Sequence, residues 1–181
     1  MKFFFEILKI VSMSFHTAEV ICQEMLSQRE CKFLKKADNY LVYLDPDDTL
    51  IYVFFDQVSK LNISNVKDYI KLMEKDLITH GIIIHNSCVT ASAKKVIMNV
   101  IHMNIELFDV QDLQFNITKH RLYRPHISLP SSEREEFVRK FGDKIPIIQR
   151  TDPVCAFFNF KKGTILKIIR KDNFISYRIV K

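Results

Sequence analysis

Between residues 40 and 108, short runs of strand character alternate with segments of helical periodicity, and this alternation narrows the folds open to the chain. Residues 40–44 (YLVYL) and 50–55 (LIYVFF) are rich in strand formers, and Asp45-Pro46-Asp47-Asp48 between them is a strong turn signal. The two runs predict a hairpin. Val66, Tyr69, Ile70 and Met73 then recur at helical spacing, with Ser64 expected as the cap. HGIIIH (80–85) reads as a short buried strand. Thr90 is placed to cap a helix that carries Ala93, Val96, Ile97, Val100 and Ile101 on one face, and NIELF (104–108) reads as a further strand. Strand, helix, strand, helix, strand is an α/β pattern with a mixed sheet.

The first residues, MKFFFEILKIVSM, superficially resemble a secretory leader, but Glu6 and Lys9 interrupt the apolar run and no small-residue cleavage site follows. Phe4, Ile7, Leu8, Val11 and Phe15 share a helical face, so a helix over about residues 2–15 is expected. Thr17 would cap a second helix with Val20, Ile21 and Met25 on its inner side. No run is long and apolar enough to span a bilayer, so no membrane partner is expected.

Charge divides the chain. Up to Asp112 there are 12 Lys and Arg against 15 Asp and Glu, a net of −3; from Leu113 onward there are 15 against 6, a net of +9. Such a basic half suits an acidic or nucleic-acid partner, though the solvated surface of a small domain is the commoner origin of such a charge. The division suggests an N-terminal domain over 1–112 and a C-terminal domain over 113–181. Four cysteines (22, 31, 88 and 155) without paired spacing fit a reducing compartment better than a disulfide framework. His120 and His126 have no ligand-spaced partners, so neither a zinc site nor any other metal or cofactor is expected. Basic residues cluster only in short pairs such as Lys35-Lys36 and Lys161-Lys162, which form no clear nuclear-import signal.

In the C-terminal part, Ser131 or Ser132 would cap a helix through Phe141, and Pro153 suits the first turn of a short helix reaching about Phe158. Gly163 provides a turn before a strand over 164–170, and Lys171-Asp172-Asn173 a tight connection to a strand over 174–180. Ile165, Ile168, Ile169, Ile175 and Ile179 are the expected core of this module.

Residues 115–126 read FNITKHRLYRPH. After them, in order, come Ile145-Pro-Ile-Ile148, Asp152-Pro153, the Phe157-Phe158 pair, Lys161-Lys162-Gly163, Lys167-Ile-Ile-Arg170 and Tyr177-Arg-Ile-Val180. This ordered series resembles the C-terminal assembly module of the fifth common subunit of eukaryotic nuclear RNA polymerases, a family with an archaeal RNA polymerase counterpart. Tyr52-Val-Phe-Phe55, residues 63–69, Gly81 to Ile84 and Thr90-Ala-Ser-Ala-Lys94 match the same family more loosely.

The resemblance implies a jaw-like N-terminal α/β domain of restriction-endonuclease-like topology and a small α+β assembly module. It implies a nuclear, non-catalytic subunit shared by RNA polymerases I, II and III, in which that module docks on the largest subunit. His120, His126, Asp152, Pro153, Lys161, Lys162, Arg170 and Arg178 then become the candidate partner-facing residues. The loop with Thr90, Ser92, Lys94 and Lys95 becomes the segment facing downstream duplex DNA, through a helix start and two lysines that carry no base specificity. The chain departs from the family pattern at Ala91, where a proline is usual, at Thr151 and Asn159, where glycine is usual, and in a shorter last hairpin; at Asn159 asparagine is the next-best residue for the left-handed cap that the family's glycine implies.

Two other functions compete. A free-standing DNA-binding adaptor would use Lys161, Lys162, Lys167, Arg170, Lys171 and Arg178 as a basic ribbon. A metal-dependent nuclease needs a Pro-Asp followed by an acidic-x-Lys pair. Pro46-Asp47 is present, but no Asp or Glu stands two residues before any lysine between Asp47 and residue 112, so that signature is incomplete.

Overall fold

The structure, a computed structural model, describes residues 2–58, 60–142, 144–171 and 174–181; the side chains of residues 2–13 and 131 lie outside that description. The chain divides into two compact units, Met1–Phe115 and Asn116–Lys181. The charge shift puts the division slightly earlier, after Asp112.

The first unit is built on a five-stranded sheet whose strands follow one another in space as β1 (Lys32–Lys36), β2 (Tyr40–Leu44), β3 (Leu50–Asp56), β5 (His80–His85) and β7 (Asn104–Asp109). β1, β2 and β3 pair antiparallel, whereas β3, β5 and β7 pair parallel. The sheet is therefore mixed. The expected β2–β3 hairpin forms, and Asp45 holds its turn by accepting from the amides of Asp47 (2.9 Å) and Thr49 (2.8 Å). β1, Lys-Phe-Leu-Lys-Lys, is an addition to the strands expected. All five residues are exposed, so it lacks the apolar alternation that marks a half-buried strand.

Alternation along the strands assigns each face of the sheet. Val42, Tyr52, Phe54 and Ile83 form one core with Val66, Ile70 and Met73 of helix α2 (Ile63–Lys75) and Ala93 of helix α3 (Ala91–Asn99). Gly81 lies on that face because α2 packs close: a Cβ there would come within 2.7 Å of Met73 Sδ. The opposite register positions, including Leu41, Tyr43, Val53, Ile82 and Ile84, are buried too.

Helix α1 (Lys2–Gln28) is continuous, where two helices were expected. No proline or glycine occurs between residues 2 and 28, so nothing obliges a break at Thr17. Phe15, Ala18, Cys22, Met25 and Leu26 form its buried stripe, and Val20, expected inside, is 42% exposed. Of the earlier apolar face, Phe4, Ile7, Leu8 and Val11 lie outside the described side chains.

Two further expectations change. Asn62, rather than Ser64, caps α2: its side chain accepts from the amides of Ser64 and Asn65, and the Asn65 side chain accepts in return from the Asn62 amide. Ile101 is 95% exposed, because α3 ends at Asn99 and the residues after it leave the helical period.

The second unit is a four-stranded sheet in which β8 (His126–Ser128), β10 (Ile165–Ile169), β11 (Ile175–Val180) and β9 (Ile147–Ile148) lie in that order, with helices α4 (Ser131–Phe141) and α5 (Pro153–Phe157). The start of α4 is flanked by Pro130, with no side-chain cap bond, in place of a serine cap. Of the two serines expected there, the Ser131 side chain lies outside the description. Asp152 caps α5, with Pro153 in its first turn, and Asn159 follows in the left-handed region at φ 51°. The core centres on Ile148, Cys155, Leu166, Ile168 and Val180. Ile165 joins the buried set, but Ile175 is 41% exposed and Ile169 and Ile179 are half-buried, so the isoleucine core is corrected by the strand alternation. Of the connection between β10 and β11, Asp172 and Asn173 lie outside the described residues; Arg170 and Phe174 flank it, with the Arg170 amide donating to the Phe174 carbonyl (2.8 Å).

Candidate nucleic-acid and assembly surfaces

A two-stranded parallel ladder supports the Thr90 segment. β4 (Lys60–Leu61) pairs with β6 (Cys88–Val89), Lys60 opposite Cys88 and Leu61 opposite Val89. The ladder is tied by the Leu61 amide to Ser87 Oγ (3.1 Å) and by the Thr90 amide to the Leu61 carbonyl (3.1 Å). The chain leaves β4 through Asn62 into α2, and leaves β6 through Thr90 into α3. Because the strands are parallel and in register, both helix starts emerge side by side at the same end of the ladder. The positive ends of two helix dipoles are thereby brought together, while the Ser64 and Asn65 amides are taken by Asn62 and the Ala93 amide by Thr90. Sequence reading found Thr90 but not this pairing; the signal would have been a capping residue directly after a two-residue strand, which is too short to show periodicity.

Thr90 Oγ1 is occupied as a cap, accepting from the Ala93 amide at 3.1 Å. Ser92, Lys94 and Lys95 are exposed, and Ala93 between them is buried and anchors the turn. Lys60 is exposed on the neighbouring strand. The segment thus offers a hydroxyl and two adjacent lysine charges at a helix start, a surface that suits phosphate groups and carries no base-reading geometry.

The assembly-module candidates are dispersed. Asp152 holds α5, accepting from the Val154 amide at 2.9 Å. His120 is exposed, with Nδ1 accepting from the Leu122 amide, and His126 Nδ1 donates to the Arg124 carbonyl at 2.6 Å. Pro153, Lys161, Lys162 and Arg170 are exposed. Lys161 reaches Asn159 Oδ1 at 3.2 Å, Arg170 Nε donates to Ser176 Oγ at 3.0 Å, and Arg178 donates to the Ile147 carbonyl at 3.0 Å. In the β10–β11 register Arg178 stands opposite Leu166 and Tyr177 opposite Lys167. Lys167 and Arg178 therefore fall on opposite faces of the sheet. The basic residues are not gathered into a single-faced ribbon.

The Asn-Ile-Thr opening has a local structural explanation. Asn116 is buried, and its Oδ1 accepts from the amide (2.9 Å) and hydroxyl (2.7 Å) of Thr118, closing a turn into the 3₁₀ helix Ile117–Lys119. Pro46 and Asp47 lie in the exposed turn between β2 and β3. Among the described residues no group of three His, Cys, Asp or Glu side chains is gathered to hold a metal ion.

Residues 115–180 match the family model described as RNA polymerase Rpb5, C-terminal domain. Over 144 residues the chain is 31% identical to the DNA-directed RNA polymerases I, II, and III subunit RPABC1 of Caenorhabditis elegans, a match spanning 75% of this chain and 68% of that protein. The chain belongs to the Rpb5 family. The corresponding subunit of Dictyostelium discoideum is 30% identical over 145 residues, spanning 75% of this chain and 73% of that one. These relatives are polymerase subunits by name, and the chain, as an Rpb5-family member, is a non-catalytic protein of transcription; the nuclease reading falls with that assignment. Among solved structures, the ATP-dependent Type ISP restriction-modification enzyme LlaBIII bound to DNA has a TM-score of 0.37 and 17% identity, covering 60% of this chain and 8% of that one. A likeness of that size carries no argument.

Proposed function

We propose that this Rpb5-family chain is the subunit shared by nuclear RNA polymerases I, II and III in its host. In this reading the basic second unit docks on the largest subunit. The first unit forms part of the lower jaw, a domain of restriction-endonuclease-like topology, with Thr90, Ser92, Lys94 and Lys95 facing downstream duplex. The observation that carries the reading is a match to named shared subunits over three quarters of the chain, at 31% identity. The paired helix starts on the β4–β6 ladder support the DNA-facing part, because they concentrate positive potential where only backbone contact is required. The free-standing adaptor is less well supported, because Lys167 and Arg178 of its ribbon lie on opposite faces of the sheet.

Two measurements test the proposal. Tagged full-length chain purified from its host should bring down the largest subunits of all three polymerases; recovery without any of them would end the reading. In the assembled enzyme, a photocrosslinker at Ser92 should reach downstream DNA. Crosslinks to protein alone, with DNA reached instead from Lys161 or Arg170, would reverse the polarity assigned to the subunit.

A further inference from the structure

Strand β1 (Lys32–Lys36) forms one edge of the first unit's sheet, paired with β2 on one side and, among the described residues, with no strand on the other. All five of its residues are exposed, Phe33 at 54% and Leu34 at 49%, so no other part of the chain covers it. An edge strand presents a row of unpaired amides and carbonyls, a template on which a further extended segment can pair. Phe33 is held in place by Tyr43, whose ring it meets edge-on with centroids 5.4 Å apart.

The register sorts the side chains of β1 by face. Lys32 stands opposite Leu44 and Lys35 opposite Val42, whereas Phe33 stands opposite Tyr43 and Lys36 opposite Leu41, with an irregularity between Phe33 and Lys35. Alternate residues of β2 point to opposite faces, so Lys32 and Lys35 share one face and Phe33 and Lys36 the other. Lys36 is paired with Glu19 of α1 at 2.9 Å. Among the described residues Lys32 and Lys35 have no acidic partner. These three lysines stand within five residues, in a stretch of chain (1–112) whose net charge is −3. Lysine opposite lysine is repulsive, so β1 is set against pairing with the same strand of a second copy. The same charge favours a strand that brings carboxylates.

We propose that the free edge of β1 is a docking site for an extended acidic segment of a partner protein, which adds a strand beside it. Carboxylates at alternate positions of that segment meet Lys32 and Lys35, and its apolar side chains lie on the face of Phe33. Main-chain hydrogen bonds give affinity for any strand, and the side chains on the two faces select among strands. The unpaired main-chain edge favours a peptide over nucleic acid, which has no matching ladder of amides and carbonyls. Nothing here depends on the polymerase assignment, since only the first unit's own geometry is used.

The test uses the full chain, ¹⁵N-labelled, titrated at low salt with the end-capped peptide Glu-Val-Glu-Val-Glu-Val. Saturable shifts are expected at the amides from Cys31 to Ala37, together with slower amide exchange in β1. The peptide Glu-Val-Glu-Pro-Glu-Val, whose proline cannot complete a ladder, and the basic peptide Lys-Val-Lys-Val-Lys-Val should both bind several-fold more weakly. Lys32→Glu combined with Lys35→Glu, at exposed positions that leave the core untouched, should weaken the acidic peptide by about tenfold and favour the basic one, because two cross-strand pairs pass from attraction to repulsion. Tighter binding of oligothymidylate at the same amides would make β1 a nucleic-acid contact and overturn the proposal. Shifts spread equally over Lys94, Lys95 and the second unit, undiminished binding by the doubly substituted chain, or sedimentation showing that the free chain already pairs with a second copy through β1 would overturn it too.

Discussion

Glu106 shows most directly what a single residue contributes here. It lies on β7, buried, and receives Arg29 through two contacts of 2.9 Å, with His80 Nε2 2.7 Å from Oε1. Burial alone would raise its carboxyl. The Arg29 charge and the hydrogen bonds from His80 and Arg29 outweigh that and hold it at about 2, against an ordinary 4.5. A folded-state value below the unfolded one gives stability that is fully present above about pH 4.5 and is lost as pH falls toward 2. A shift of this size corresponds to about 3 kcal/mol. Glu106→Gln should therefore lower stability at pH 7 by about 3 to 5 kcal/mol, because it strands the buried Arg29 charge. It should also flatten the acid limb of the stability curve. Urea unfolding of both proteins across the acid range up to neutrality checks the two effects together, and parallel acid limbs would show that the triad does not set the pH dependence. Glu106 and Arg29 stand 77 positions apart, and nothing in either neighbourhood announces the other.

At the level of elements, α2 and α3 show where local chemistry suffices and where it does not. The apolar spacing of Val66, Ile70 and Met73 is legible in the sequence, and these three residues are the buried face of α2. The start of that helix is less legible, because Asn62, Ser64 and Asn65 are all capping types and three-dimensional hydrogen bonding selects among them. Asn62→Ala should cost about 1 kcal/mol by removing the reciprocal cap, whereas Ser64→Ala should be near neutral. Thermal unfolding of both variants distinguishes them, and equal losses would mean that the cap is shared. In the second unit, Pro153 is read correctly from backbone preference, and Asn159 from the family's usual glycine together with asparagine's tolerance of the left-handed region. β1 escapes the same treatment because its exposed lysines carry no burial signal, and strand pairing with β2 is what makes it a strand.

The whole molecule joins an acidic α/β unit to a basic one within a polymerase-subunit family, and the proposed jaw role belongs to this scale. Replacing Lys94 and Lys95 together by alanine should weaken the hold of the assembled polymerase on downstream duplex by a small factor, about two- to fivefold at low salt. The loss should be the same on unrelated sequences, since phosphate contacts fix position without reading bases. It should fade as salt rises, because the gain comes largely from counterion release. Dissociation rates measured at two salt concentrations on two downstream sequences are the check; a sequence-dependent loss, or none at low salt, would remove this segment from the DNA path.

Adjacent residues carry enough information for the α/β class, the β2–β3 hairpin, the helices from α2 onward, and the family, which shows itself in an ordered run of short matches. The class, the hairpin and the helices follow from local preference and periodicity, and the family from the order of its matching motifs. The Arg29–Glu106–His80 triad does not. The side-by-side helix starts on the β4–β6 ladder and the placing of Lys167 and Arg178 on opposite faces likewise emerge only in three dimensions. Each depends on which distant segments meet and on strand register, and register is set by the packing of the whole unit rather than by any neighbour along the chain.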